Sequence, residues 1–369
     1  MGKYISSYLK TVQSIGRQIL IVDGFSGPGL FGDDSLGSPL IICEAISKTS
    51  RGRVNIGCLC ADIRPSHRSA LQAALAEQIR MGLSEKPYSN CAEALTRALE
   101  IGGNATIFFY LDPYGIKDLE FDMVRQIYER DKRQSTEVLI NFNFRAFMRM
   151  SGNWNYADTA DEIAAKVKTS KVETVNKVMG GDYWLNIVTD ASLSKIARED
   201  AVINSYVNRV REFFQYTYAI PVKHIDEDER DVPADELARY HLIFGTRHAR
   251  AVVYMNDVAL NALTPYFNNF KDGLLFDMTP DRYQPAATED VKAAIVSAVT
   301  NRPLRRPEIY ELLLPQFFMS YHKKEYREII DDLTFKEGRL HPDRRTMKKS
   351  NQLNDETALS ATPWPGELV

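Results

Sequence analysis

The chain has 369 residues, 44% of them hydrophobic and 26% charged, which is the balance of a soluble globular protein of roughly two or three domains. A formal net charge of −3 excludes a protein that coats nucleic acid through bulk charge, although the window Asn301–Ser350 holds twelve Lys/Arg against eight Asp/Glu and so has the makings of a local basic patch. No apolar run approaches the ~18 residues that span a membrane and no signal peptide is visible, so a cytoplasmic protein without membrane attachment is expected. The four cysteines (Cys43, Cys58, Cys60 and Cys91) form no C-x-x-C pair and read as reduced core thiols.

In chain order, Lys3 to Gly16 has the spacing of a short amphipathic helix. Gln18 to Asp23 is a continuous apolar run closed by an acid, the pattern of a strand buried on both faces. A glycine-rich loop follows. Ser38-Pro39 then opens a helix to about Lys48, with Ser as N-cap and Pro at the first helical position. Val54 to Ala61 reads as a second strand ending at Asp62, and Ser66 to Met81 as a helix. Ala105 to Asp112 is a third strand, Glu120 to Asp131 a helix, and Thr136 to Phe144 a fourth strand. Strands alternating with helices of this length indicate βαβ units and a parallel sheet.

From about 146 to 211 the pattern is mostly helical and interrupts the sheet. Thr217 to Ile225 and Arg239 to Gly245 then read as an antiparallel hairpin at a sheet edge. Met278 to Thr288 reads as a linker. Beyond it, Thr288–Thr300, Arg306–Leu314 and Lys323–Gly338 read as three helices before a strand start, an order that suggests a winged helix-turn-helix.

Three strand-end acids carry the chemistry. In the first loop, Asp23, Phe25, Ser26, Gly27 and Gly29 follow a buried strand and precede the helix at Ser38. Glycines there let the backbone turn tightly and approach a ligand, and a helix N-terminus offers N–H groups to a carboxylate. That combination suits S-adenosylmethionine. The third glycine of a dinucleotide fingerprint and the Lys-Ser/Thr of a P-loop are both missing. Asp62 stands where an acid accepts ribose hydroxyls, or where it caps the next helix. Asp112, Pro113 and Tyr114 end the third strand. Asp112 is suited to accept an exocyclic amine, Pro113 to fix the turn so that the backbone accepts a second hydrogen bond, and Tyr114 to stack on a base. The bland alternative is an Asp-Pro-x-Gly turn. Asn141 and Asn143 are weaker candidates, and no histidine has metal-ligand spacing. In the C-terminal part, Arg305, Arg306, Lys323, Lys324, Arg344, Arg345, Lys348 and Lys349 are candidate phosphate contacts, against a plain solvated face or a protein-interaction module.

Val22-Asp23-Gly24-Phe25-Ser26-Gly27-Pro28-Gly29, Gly37-Ser38-Pro39-Leu40, Leu111-Asp112-Pro113-Tyr114-Gly115 and Leu139-Ile140-Asn141-Phe142 resemble the three-Cys-motif partner protein family. So do Gly180-Gly181-Asp182-Tyr183-Trp184 and the stretch from Tyr240 to His248. The resemblance covers most of residues 1–260. It implies a Rossmann-like class I methyltransferase sheet over 1–277 with a helical insertion at about 146–211, a winged-helix domain over 286–369, and an operon partner carrying a three-cysteine motif. Asp112 to Gly115 is also similar to the Asp-Pro-Phe-Gly motif of tRNA guanine-N2 dimethyltransferases. That similarity implies an amine-binding Asp112 and a stacking Tyr114. Two functions are therefore expected: S-adenosylmethionine-dependent methylation of an exocyclic amine on a nucleic-acid base, or a non-catalytic, regulatory partner that binds nucleic acid and holds a nucleoside in the same pocket.

Overall fold

The structure is a computed structural model and describes residues 2–49, 55–131, 134–154, 158–222, 238–268, 284–347 and 353–364. Two compact units divide the chain between Arg247 and His248. In the first, α1 (Gly2–Val12) leads into β1 (Ile19–Asp23), α2 (Ser38–Thr49), β2 (Ile56–Cys60), α3 (Pro65–Ala74) and α4 (Ala76–Arg80). Next come α5 (Cys91–Ile101), β3 (Thr106–Leu111), α6 (Phe121–Glu129) and β4 (Thr136–Phe142). Five helices occupy the stretch expected to be helical: α7 (Phe144–Met150), α8 (Ala160–Lys168), α9 (Val172–Met179), α10 (Trp184–Val188) and α11 (Lys195–Arg211). The unit closes with β5 (Tyr216–Val222) and β6 (Tyr240–Thr246).

The six strands form one sheet of order β2-β1-β3-β4-β6-β5. β2, β1, β3 and β4 run parallel, and β6 pairs antiparallel with both β4 and β5. This is a mixed α/β architecture with a mostly parallel, Rossmann-like sheet. The hairpin expected from Thr217 to Gly245 is present, although residues 223–225 lie outside the described residues. Beyond β2, Ser84 and Tyr88 bridge in parallel to Cys58 and Ala61, which covers that edge.

The period-two alternation of strands sorts the side chains onto two faces. Leu20, Val22, Ile107, Phe109, Leu111, Val138, Ile140 and Phe142 join the core shared with α5, α6 and the helices between β4 and β5. The alternate residues face the other way. There Tyr4 of α1 packs on Phe108 and Phe244 and bonds the carboxyl of Glu137. Asp23, Tyr110 and Asn141 belong to this second set, at the carboxyl ends of their strands.

α5 was not expected from the sequence, yet it packs on β1 and β2 and sets the back of the site. Its start is marked by Asn90, whose side chain accepts from the Glu93 N–H, while Ser89 donates to the Glu93 carboxylate. The helix expected over Ser66–Met81 is broken at Leu75 into α3 and α4.

The second unit begins with α12 (Ala249–Asn268), so the division falls earlier than the linker read over Met278 to Thr288, of which residues 278–283 lie outside the described residues. α13 (Thr288–Thr300), β7 (Leu304–Arg305), α14 (Arg306–Leu313), α15 (Lys323–Phe335), β8 (His341–Pro342) and β9 (Ala358–Ser360) follow. The three short strands pair antiparallel in the order β7-β9-β8. No described helix is long and apolar enough to cross a membrane.

Candidate functional site

The carboxyl ends of β1, β2 and β3 open on one cleft of about 640 Å³, within the range of small-molecule sites. Phe25, Ser26, Gly27, Pro28 and Ser38 line it from the first loop and α2, Asp62 from the end of β2, and Asp112, Pro113 and Tyr114 from the end of β3. Of the residues singled out in the sequence for the cofactor and the reaction, all but Asp23 and Gly29 therefore meet at one place. In an open α/β sheet this is where ligands bind.

The loop after β1 is stapled to both neighbouring strands. Gly24 N–H donates to the Tyr110 carbonyl at 3.0 Å, and Ser26 N–H to the Ala61 carbonyl at 2.8 Å. The Ser26 hydroxyl donates to the Asp23 carbonyl at 2.9 Å, so Ser26 is committed to holding the loop. Gly24 is required by packing: a Cβ there would stand 2.6 Å from Cys91 Sγ and 2.9 Å from Leu111 Cδ2. Gly27 is required by conformation, with φ of 63°, and its N–H donates to Asp62 Oδ2 at 3.0 Å. Gly29 does not line the cleft; its carbonyl accepts the Gly37 N–H at 2.7 Å and thereby closes the segment that leads into α2. In the first turn of α2, Pro39 has no N–H and Ile41 donates to the Gly37 carbonyl.

Asp62 holds the turn before α3 and faces the cleft, although the N-cap of α3 itself is Arg64. Asp62 Oδ1 accepts from Arg64 N–H at 2.8 Å, the turn that leads into α3, while Oδ2 takes the Gly27 N–H and lies 3.4 Å from His67 Nδ1. It is nearly buried yet reaches the cleft. Oδ1, with a single partner among the described residues, keeps a lone pair for a further donor.

Asp23 lies beneath the loop, fully buried, and does not line the cleft. Oδ1 accepts from Phe25 N–H at 3.3 Å, and Oδ2 has no hydrogen-bond partner among the described residues. Burial pushes its carboxyl up to about 6; the neighbouring Ser38 hydroxyl and the Phe25 N–H pull it down, and the charge of Asp112 adds to the rise. The Ser38 hydroxyl eases the charge without completing a hydrogen bond to Oδ2.

Asp112 is gripped from both sides. Tyr110 donates its hydroxyl to Oδ2 at 2.7 Å, and Asn141 donates Nδ2 to Oδ1 at 2.7 Å. Burial, followed by the charges of Asp112 and Asp23, raises the Tyr110 hydroxyl far above its ordinary range, so it remains a donor. Asn141 Oδ1 is buried without a hydrogen-bond partner among the described residues. Asn143 instead caps α7 and reaches the Tyr114 carbonyl at 3.4 Å. Tyr110 was missed in the sequence, although its position two residues before Asp112, on the same strand face, carries the signal.

A second cavity of about 370 Å³ adjoins the cleft and shares Phe25, Ile63 and Asp118 with it. Cys91, Ala92 and Met123 make its other walls largely apolar.

The candidate phosphate contacts of the second unit fare unevenly. Arg306 is a correction: it is buried, donating to the Leu353 carbonyl at 3.0 Å and pairing with Asp331, and no phosphate can reach it. Arg305 pairs with Glu356 at 2.8 Å and Lys324 with Glu328 at 3.7 Å. Arg345 forks onto Asp343 and lies over Trp364, while Lys323 Nζ lies 5.3 Å from the Tyr310 ring centre. Arg344 is exposed, and Lys348 and Lys349 lie outside the described residues.

Comparison of the chain with protein-family models and with curated proteins gives no match.

Proposed function

We propose that the first unit binds S-adenosylmethionine in these adjoining cavities and transfers its methyl group to an exocyclic amine of a nucleic-acid base. The observation that carries this reading is the convergence of the Gly27 loop, Asp62 and Asp112 on one cleft at the carboxyl ends of three adjacent parallel strands. The reversed β6 between β4 and β5 supports a methyltransferase sheet over the all-parallel dinucleotide order. Charge supports it too. Asp62, Asp112 and Asp118 line the cleft against one arginine, Arg64, and Asp23 lies below, a net negative field that favours a sulfonium cation over a pyrophosphate.

Bound S-adenosylmethionine supplies an electrophilic methyl group on a positively charged sulfur. Asp62 accepts ribose hydroxyls, and the apolar cavity beside Phe25 and Met123 takes the adenine ring. The carboxylate of Asp112, held by Tyr110 and Asn141, accepts the amine N–H through its remaining lone pairs. It thereby orients the nitrogen lone pair towards the methyl carbon. S-adenosylmethionine held there would give its methyl group to that nitrogen, with the C–S electron pair left on sulfur and the amine proton passing to water. In the second unit, three helices with a β7-β9-β8 sheet support a winged-helix reading, and a three-cysteine-motif partner remains part of the same proposal through the family resemblance.

The test is transfer of labelled methyl from S-adenosylmethionine to single-stranded RNA and DNA. Label in the wild type, lost in Asp112→Ala, is the expected result. One observation favours the second reading, a non-catalytic nucleoside-binding partner: both Asp112 oxygens already accept a bond within the protein. Nucleoside binding with no transfer to any nucleic acid would establish that reading instead.

A further inference from the structure

Nine large apolar side chains are exposed among the described residues, and five of them cluster around the cleft: Leu30, Phe31, Leu36, Ile63 and Tyr114. Phe31 (53% exposed), Leu36 (45%), Ile63 (66%) and Tyr114 (91%) all line it. They come from the segments that follow three neighbouring strands, so they form a collar around the mouth rather than a patch on one side. A concentrated apolar surface of this kind marks a binding site.

Leu30, Phe31 and Leu36 sit on a small hairpin between the glycine loop and α2. Leu30 bridges antiparallel to Leu36, and Phe31 N–H donates to the Ser35 carbonyl at 3.0 Å. The Asp33 carboxylate accepts from both the N–H and the hydroxyl of Ser35, at 3.0 and 2.7 Å. This closed turn holds two apolar side chains, Phe31 and Leu36, at the mouth of the cleft. Neither joins the core below, so stability of the fold does not account for them.

We infer that this hairpin is one jaw of a clamp, with Tyr114 as the other, for an uncharged planar heteroaromatic ring that bears the reacting amine and is free of base pairing. The inference rests on the proposed function of the same cleft and adds its substrate selection. The collar supplies flat and apolar surface for the faces of a ring. Below it, Asp112 only accepts hydrogen bonds, so the floor under the collar selects an N–H donor, while Asp62 is left to the ribose of the other reactant. A base held in a duplex has its amine engaged and its faces stacked, and it can use neither surface. The adjoining cavity, together with the Asp62 side of the cleft, leaves room for the other reactant.

The test uses the full chain and a single-stranded oligonucleotide carrying one 2-aminopurine, whose fluorescence falls when its ring is stacked. Wild type is expected to quench the probe and to bind it at least about tenfold more tightly than the same strand annealed to its complement. Phe31→Ala and Tyr114→Ala are each expected to weaken binding by about tenfold, in line with the loss of one stacked aromatic. Tyr114→Phe should restore it. Both positions are exposed, so an unchanged thermal midpoint shows that the fold is intact. Equal binding by Phe31→Ala, equal binding of duplex, or displacement of the probe by a lysine-rich peptide in preference to nucleic acid would overturn the clamp. Titration of wild type with S-adenosylhomocysteine separates the two claims: no binding there, with ring binding intact, overturns the transfer reading and leaves the clamp standing.

Discussion

Replacing Glu137 by glutamine tests the packing of α1 through a single proton. Glu137 lies on β4 with its carboxyl fully enclosed beneath α1, bonded by the Tyr4 hydroxyl. Tyr8 stands over the same patch, and Arg130 is the nearby cation, engaged with the carbonyls of Gly102, Gly103, Ala105 and Ser135. Burial lifts the Glu137 carboxyl from 4.5 to about 7, against the pull of the Tyr4 hydrogen bond. A folded-state value above the unfolded one means that the folded chain holds the proton longer. The stability this confers is fully present below about 4.5 and is lost as pH rises through 7. At about 1.4 kcal/mol per unit, the loss is roughly 3 kcal/mol. Glutamine has nearly the same shape and no charge to bury. Urea unfolding of wild type and Glu137→Gln at pH 5, 6, 7 and 8, followed by the buried Trp154 and Trp184, gives the difference directly. The variant should gain roughly 3 kcal/mol on wild type between pH 5 and 8. A difference that stays flat with pH would refute the reasoning, because it would mean that the carboxyl is solvated.

Three further outcomes follow from the same geometry. Asp23 takes up a proton near pH 6, so affinity for S-adenosylmethionine should fall as pH drops from 7.5 to 5, and Asp23→Asn should remove that dependence; calorimetry over the pH series would contradict this if both proteins tracked together. Gly24→Ala forces a methyl group against Cys91 and Leu111 and should cost about 1–3 kcal/mol in chemical denaturation, whereas no loss would show that the loop yields there. Arg306→Ala should destabilise the second unit by about 3 kcal/mol, while Arg305→Ala should change it by less than about 0.5 kcal/mol; equal effects in thermal melts would place Arg306 at the surface after all.

Much of the first unit was legible because its strands are buried on both faces. Ile19 to Asp23, Thr106 to Leu111 and Thr136 to Phe142 are runs that only a parallel, covered sheet tolerates, and the acids that end them mark the functional rim. What sequence did not reveal was pairing across the chain. Nothing local ties Gly27 to Asp62, or Asn141 to Asp112, over gaps of 35 and 29 residues. α5 was overlooked although Asn90 and Glu93 spell its start. Arg306 adjoins Arg305 in a basic stretch and so looks like a surface cation; at helical spacing it shares a face with Ile309, Tyr310 and Leu313, all buried. The apolar hairpin escaped notice because Leu30, Phe31 and Leu36 in a loop carry no periodicity, and only their exposure around a cleft gives them meaning.

The most direct test of the central claim is calorimetric titration of S-adenosylmethionine into the full chain, with Asp62→Ala beside it. Saturable one-site binding in the wild type, at least about tenfold weaker in the variant as a buried hydrogen-bond partner of the ligand is removed, is the predicted result. No heat from wild type at millimolar ligand would contradict the account.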